Sequence, residues 1–226
     1  MGIEGISLGK IERRRAVDDV HQAIREAILD RRFPPRTRLN VEELALQLGV
    51  SLTPVRSAIQ LLAAEGLVDV RSRSGTFVAT LSRRDLEEIF DIRCALECLA
   101  AEKAVFTEED VERARELCQM LAGPVRNDGQ RKIHEQANSE FHGIIIRAAG
   151  SKRLSAMYES LQAHIAMCRL HRIDASWQSR VPQEQKEHQE IMDAIERRDE
   201  QALVKALRGH ILRARRVILE HLQPDE

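Results

Sequence analysis

Residues 41–78 read VEELALQLGVSLTPVRSAIQLLAAEGLVDVRSRSGTFV. Val41, Leu44, Ala45 and Leu48 recur at helical spacing, so the stretch opens with a short helix that has one apolar face. Gly49 supplies the left-handed residue that ends it, and the chain turns through Val50 and Ser51. A second helix starts at once, with Ser51 or Thr53 as N-cap and Pro54 in the first turn, where its missing N–H costs nothing. Val55, Ala58, Ile59 and Leu62 form its buried stripe, leaving Thr53, Arg56, Ser57 and Gln60 pointing outward. Residues 67–71 and 76–80 then alternate as strands around the basic turn 72–75. Helix, turn, helix and basic hairpin is the outline of a winged helix-turn-helix, a motif whose second helix enters the DNA major groove.

Working outward, Val20, Ile24, Ala27 and Ile28 predict a helix over about 17–31, stopped by Phe33-Pro34-Pro35. Residues 1–14 lack periodicity and read as a flexible tail, so the first domain spans 15–80, followed by a linker at 81–84. Ser82 is an N-cap with Asp85 three residues on, in a capping-box position. Beyond it there is almost no strand signal. Helical periodicity covers about 83–105, 107–122, 130–149, 151–172, 180–198 and 200–222, with Thr107 as a cap and with Gly123-Pro124, Gly150-Ser151 and Asp199 as breaks. Connections this short imply an antiparallel bundle over 85–222. The expected fold is therefore mainly α: a winged helix-turn-helix with a small β-wing, then an all-α six-helix bundle.

With 226 residues the chain is long enough for two modest cores. Aromatic residues make up 3%, which argues against stacking on single-stranded nucleic acid. No apolar run reaches the length of a membrane span, and the amino terminus lacks a secretory apolar core, so a soluble cytoplasmic protein without membrane partners is expected. Cys94 and Cys98 sit one helical turn apart, while Cys118 and Cys168 are isolated. All four read as small buried hydrophobes rather than a metal knuckle. Residues 1–84 hold 14 Lys and Arg against 10 Asp and Glu, whereas the remainder holds 21 against 26. A basic module on an acidic body suits phosphate contact.

Three histidines stand out in the second domain. His142 lies in NSEFHGIII with Asn138 one turn before it on the same face. His188, in KEHQEIMDAI, and His210, in ALRGHILRARR, stand at similar distances on either side of the Arg198-Asp199 turn. Three helices can thus present three imidazoles and an amide oxygen to one point, a set suited to zinc, nickel, copper or iron. A lone helical histidine is more often a surface or hydrogen-bonded residue, so spacing alone leaves both readings open. His21, His134, His164, His171 and His221 read as structural or solvated. Ser139, Gln185 and Leu207 precede the three histidines by three, so the Glu-x-x-His pairs of di-iron carboxylate bundles are missing. HExxH, a phosphate-cradling glycine loop and GxSxG are likewise absent, which leaves an enzyme little support. Arg93 and Glu97 form an i, i+4 pair, either a surface ion pair of small consequence or an inward guanidinium that clamps a ligand carboxylate. Arg169 and Arg172 raise the same question.

The chain resembles the GntR family of bacterial transcription regulators, in its FadR subfamily with an FCD effector domain, over about residues 15–222. The resemblance rests on PPRTRLNVEELALQLGVSLTPVRSAIQLLAAEGLV and SRSGTFV, close to the pattern PGxxLxExxLAxxLGVSxTPVRxALxxLxxEGLV with its RxGxxV wing. In the second domain it rests on FDIRCALECLAAEKA, NSEFH and EHQEIMDAIERRDEQALVKALRGHI. It implies that Asn138, His142, His188 and His210 are metal-ligand positions and that Arg93 faces the effector cavity. Six helices in the second domain look like the shorter, VanR-type branch. Three departures stand out: Asn138 where Asp is frequent, Leu52 where Arg is usual, and Arg36 in place of the glycine of the PG turn.

The resulting expectation is a ligand-responsive repressor that binds a pseudo-palindromic double-stranded operator as a homodimer. DNA contacts fall to Arg38, Ser51, Thr53, Arg56, Ser57, Arg71, Arg73 and Gly75. A divalent transition metal, zinc first with nickel or another as alternatives, sits on the three histidines and Asn138. A small organic acid contacts Arg93, Glu97 and Arg169. The competing expectations are a metal-dependent enzyme acting on a small carboxylate and a regulator whose metal is purely structural.

Overall fold

The computed structural model describes the backbone of residues 14–170 and 177–220, with side chains over 16–168 and 181–220. His171, Arg172, His221 and most of the 1–14 tail fall outside these ranges, as does the side chain of Arg169. The chain divides into two compact units between Thr80 and Leu81.

In the first unit, α1 (Arg14–Leu29) packs against α3 (Leu52–Ala64), and α2 (Val41–Leu48) lies against α3. Val20, Ile24, Ala27 and Ile28 meet Val55, Ala58, Ile59 and Leu62 in a core where each residue is almost fully buried. Removing a side chain of this size from water contributes about 1.5–3 kcal/mol. α1 ends at Leu29, two residues before the expected stop, because Arg31 adopts a left-handed φ of 60° and Phe33 N–H turns back to Ala27 O. Gly49 caps α2 at φ 65°. Asn40 is the N-cap of α2, its side chain accepting from the backbone N–H groups of Glu42 and Glu43. Ser51 caps α3 in an extended conformation without using its hydroxyl, which leaves that group exposed on the surface.

The wing hairpin is β2 (Val68–Arg71) and β3 (Gly75–Val78), shorter than expected and joined by 72–74. A two-residue strand, β1 (Arg38–Leu39), adds to β3, so the antiparallel order is β1-β3-β2 with Arg38 opposite Phe77 and Arg71 opposite Gly75. Two residues carry no alternation to detect, which is why only the tertiary pairing reveals β1.

The second unit contains α4 (Arg83–Ala101), α5 (Glu108–Leu121), α6 (Asp128–Ala148), α7 (Lys152–Leu170), α8 (Trp177–Glu196) and α9 (Glu200–Glu220). Capping boxes start α4 at Ser82 with Asp85 and α5 at Thr107 with Asp110. α4 ends four residues short of the expected 105, and Val105 N–H bonds to Ala148 O at the end of α6. α8 begins three residues before the expected start, which moves Pro182 from its first turn into its interior. α4 is the centre of the bundle, packed against α6, α7 and α9, while α5 bridges α6 and α8. Its buried residues join Phe141, Ile144, Ile145, Ile191, Leu207 and Ile211 in one apolar core. No helix among the described residues is long and apolar enough to cross a membrane.

Candidate functional site

Three helices bring His142 (α6), His188 (α8) and His210 (α9) together in the bundle interior. One ring nitrogen from each lies within 4.8 Å of those of the other two. Ring centroids are 5.8 Å apart for His142 and His188, 5.2 Å for His142 and His210, and 4.6 Å for His188 and His210. All three side chains are buried, and Phe141 closes one side edge-on to His142 and His188.

Every Nδ1 is turned outward and braced. His142 Nδ1 donates to Glu97 Oε2 at 2.6 Å, His188 Nδ1 to Glu184 O at 2.8 Å, and His210 Nδ1 to Glu187 Oε2 at 2.9 Å. With Nδ1 donating, a neutral ring carries its lone pair on Nε2, and the three Nε2 atoms face the middle, as metal-ligating histidines require. His142 Nε2 is buried with no hydrogen-bond partner. His188 Nε2 stands 2.8 Å from Asn138 Oδ1. Two acceptors at that distance repel unless both point at a shared cation or the amide is turned over to donate. The donor set, three imidazoles and an amide oxygen, fits a divalent transition metal.

Electrostatics keep the His142 and His188 rings neutral. Burial pulls His142 down to about 4, and the attraction of Glu97 restores only part of the loss. Burial, reinforced by the neighbouring His210 and His142, holds His188 well below its ordinary value. The bracing carboxylates stay ionised. Burial pushes Glu187 up, but hydrogen bonds from His210, Arg213 and Gln183 bring it down to about 2. Burial acts on Glu97 in the same direction and is overcome by Arg93 and His142, leaving its carboxyl well below the usual range.

The Arg93–Glu97 pair is thus not a surface ion pair. Arg93 is 4% exposed and Glu97 0%, with Arg93 Nε 2.7 Å from Glu97 Oε1. Tyr158 O–H donates to the same oxygen at 2.9 Å. With both oxygens occupied, Glu97 orients His142 and Arg93. Arg93 itself lines a cavity of about 20 Å³ with Asn138, His210, His134 and Glu184, and its Nη2 is buried without a hydrogen-bond partner. That volume holds about one water-sized particle. His134, read from the sequence as structural or solvated, is buried on the cavity wall. Tyr158, Glu184, Glu187 and Arg213 had no signal of their own. The i, i+4 spacing of Glu184 to His188 and i, i+3 of His210 to Arg213 was visible but indistinguishable from ordinary helix-surface pairs.

In the first unit, α3 presents Leu52, Thr53, Arg56 and Gln60 exposed, with Ser51 exposed before it and Ser57 half-buried. The Arg38 side chain lies along the wing at Gly75, where an added Cβ would come within 3.1 Å of Arg38 Nε. Gly75 has φ 116°, a conformation that other residues avoid. The Arg71 guanidinium sits 5.0 Å above the Phe77 ring and 3.5 Å from Asp69. Arg73 takes φ 63° at the tip of the turn. Arg36 takes φ 69°, a left-handed residue where glycine would be unstrained, and Leu52 is 38% exposed in the first turn of α3.

Two family models match the chain. "Bacterial regulatory proteins, gntR family" covers residues 16–78, and "FCD domain" covers residues 88–223. The chain is 31% identical to a "Probable D-xylose utilization operon transcriptional repressor" of Paenarthrobacter nicotinovorans over 89% of this chain and 88% of that protein. It is 26% identical to the HTH-type transcriptional regulator YdhC of Bacillus subtilis (strain 168), over 84% and 85%. The solved structure of E. coli McbR/YncC shares the fold with a TM-score of 0.73 at 22% identity, covering 91% of this chain and 97% of that one. These relatives are regulators rather than enzymes. The chain is a DNA-binding transcriptional regulator of the GntR family, with a gntR-type winged helix-turn-helix followed by an FCD effector domain.

Proposed function

We propose that this regulator is a cytoplasmic repressor that responds to a small organic acid through a metal held by Asn138, His142, His188 and His210, with zinc the first candidate and nickel or another divalent ion next. The observation that carries the reading is the convergence of three braced imidazoles around the unsatisfied His142 Nε2. Beside them, Arg93 Nη2 offers an unpaired N–H to a carboxylate. The bound metal supplies a Lewis-acid site for the acid's oxygen, and Arg93 is the second anchor. A cavity of about 20 Å³ is small for a carbon skeleton, so effector binding is expected to widen the bundle. That difference between two states is what a ligand needs in order to shift an equilibrium. α4 carries Arg93 and begins directly after the junction at Leu81-Ser82, so the widening acts on the helix that continues the chain from the reading domain.

On the output side, two copies bind a pseudo-palindromic operator with α3 in each major groove. Arg56 pairs with a guanine edge or a phosphate, Ser51, Thr53 and Ser57 hold the helix on the backbone, and Arg38, Arg71 and Arg73 flank it with Gly75 allowing close approach. One module reads too few base pairs for genomic specificity.

The test is metal analysis of the purified protein, with His142→Ala plus His188→Ala as control. A stoichiometric first-row metal that the double variant cannot take up supports the site; protein that neither contains nor binds one removes it. A thermal-shift screen of small carboxylates on metal-loaded protein and on Arg93→Ala then tests the sensor. The small volume of the cavity also favours a purely structural metal. Chelation that melts the bundle while the effector response of the remaining folded protein is unchanged selects that reading.

A further inference from the structure

The amino end of α3 carries an apolar side chain among polar ones. Leu52 is the first residue of the helix and is 38% exposed. Ser51 and Thr53 are exposed beside it, and Arg56, one helical turn on, is exposed on the same side. Ser51 makes no side-chain cap bond, so its hydroxyl and the first backbone N–H groups of α3 remain available to a phosphate oxygen. A helix anchored there on the DNA backbone holds its first turn, and Leu52 with it, against the groove. A lone exposed leucine is ordinary on a protein surface. Leu61, the other exposed leucine of α3, lies half a turn round the helix from Leu52 and fits that description. Leu52 does not, because the first residues of the second helix of a helix-turn-helix are those that meet base edges.

We propose that Leu52 is a specificity-determining residue that reads the C5-methyl group of a thymine in the operator. The inference deepens the reading of α3 given above and rests on it. Of the four bases, only thymine turns an apolar group to the major groove. Over a guanine or adenine edge the leucine would cover N7 and the adjoining O6 or N6 without offering them a partner, and over cytosine it would cover the N4 amino group. A polar group buried without a partner weakens binding, so Leu52 rejects these bases as well as favouring thymine. The helix also sets where the thymine lies. Four residues rise about 6 Å, and bases follow one another along a strand at about 3.4 Å. The thymine therefore falls within about two base pairs of the position that Arg56 faces.

The experiment uses the full-length chain and a library of randomised duplex DNA, from which repeated selection yields the preferred site. Each thymine of that site is replaced in turn by deoxyuridine, which removes the methyl group and keeps every hydrogen-bonding group, and binding is titrated at fixed salt. The expected result is a thymine in each half-site whose replacement weakens wild-type binding about fourfold, the effect of one methyl group taken out of water. Leu52→Ala should bind the two duplexes equally, and Leu52→Arg, put through the same selection, should exchange that thymine for guanine. The decisive change is on the DNA, so the wild-type measurement stands whether or not a variant folds. A selected site in which no deoxyuridine distinguishes wild type from Leu52→Ala overturns the thymine contact, and the reading of α3 survives if Arg56→Ala weakens that site. Selection that enriches no sequence, or a selected site that Arg56→Ala binds as tightly as wild type with no methyl effect at Leu52, overturns both.

Discussion

Replacing Glu97 by Gln changes one atom in the most buried charged group of the bundle, and its consequences can be worked through contact by contact. In the native chain, Oε1 accepts from Arg93 Nε at 2.7 Å and Tyr158 O–H at 2.9 Å, while Oε2 accepts from His142 Nδ1 at 2.6 Å. The amide oxygen of Gln can replace Oε1 and keep two of these bonds. Its NH₂ then faces His142 Nδ1, so the imidazole must accept there and carry its proton on Nε2. The lone pair aimed at the proposed metal position is lost. Arg93, meanwhile, keeps its charge without a buried counter-charge. Removing one partner of a buried pair costs about 3–5 kcal/mol, a large part of the ~5–15 kcal/mol that stabilises an ordinary domain. Loss of the orienting acceptor behind a histidine ligand lowers metal affinity about 10–100-fold. Urea unfolding of metal-free protein, followed by circular dichroism, measures the first effect. Competition with a chelator of known affinity measures the second. A Glu97→Gln variant within about 1 kcal/mol of wild type and with unchanged metal affinity would refute both the buried-pair argument and the tautomer argument.

The remaining predictions are smaller in scope. Arg56→Ala should cost at least about 1 kcal/mol of specific operator binding in a gel-shift titration at fixed salt, and an unchanged affinity removes Arg56 from the reading surface. Burial and the neighbouring Cys94 push the Cys98 thiol up to about 12, so native protein at pH 8 should resist alkylation at Cys98 until denaturant is added; rapid native labelling there contradicts the packing. The Ser82 hydroxyl and backbone N–H hold the Asp85 carboxyl below its usual value. Its folded value is depressed, so its contribution is complete above the unfolded value of about 3.9 and is lost as pH falls through the folded one. Asp85→Asn should therefore flatten the acid limb of the stability curve, and an unaltered limb would show that the capping box is not formed.

The elements were legible where the determining interactions are local. Gly49 ends α2 because a left-handed residue is needed there and glycine adopts it without strain. Ser82 with Asp85 and Thr107 with Asp110 close capping boxes over three residues, and the stripes of α1 and α3 fall on the buried faces because helical geometry alone puts them there. β1 was not legible, since two residues have no period and exist as a strand only because β3 lies alongside. Arg93 and Glu97 show the same limit in the site. An i, i+4 pair has one spacing whether it faces solvent or core, and the decision rests with α6, α7 and α9 closing around α4.

By itself, the sequence determined the order and type of the helices, the wing, and which residue types carry chemistry, because caps, turns and periodicity act over a few residues. Only the tertiary structure decided which of those residues meet. Convergence of His142, His188 and His210, the neutral state of His142 and His188, and the carboxylates behind His142 and His210 depend on burial between helices distant in the chain. There desolvation and fixed partners set charge and tautomer, and neither is a property of a short stretch of sequence.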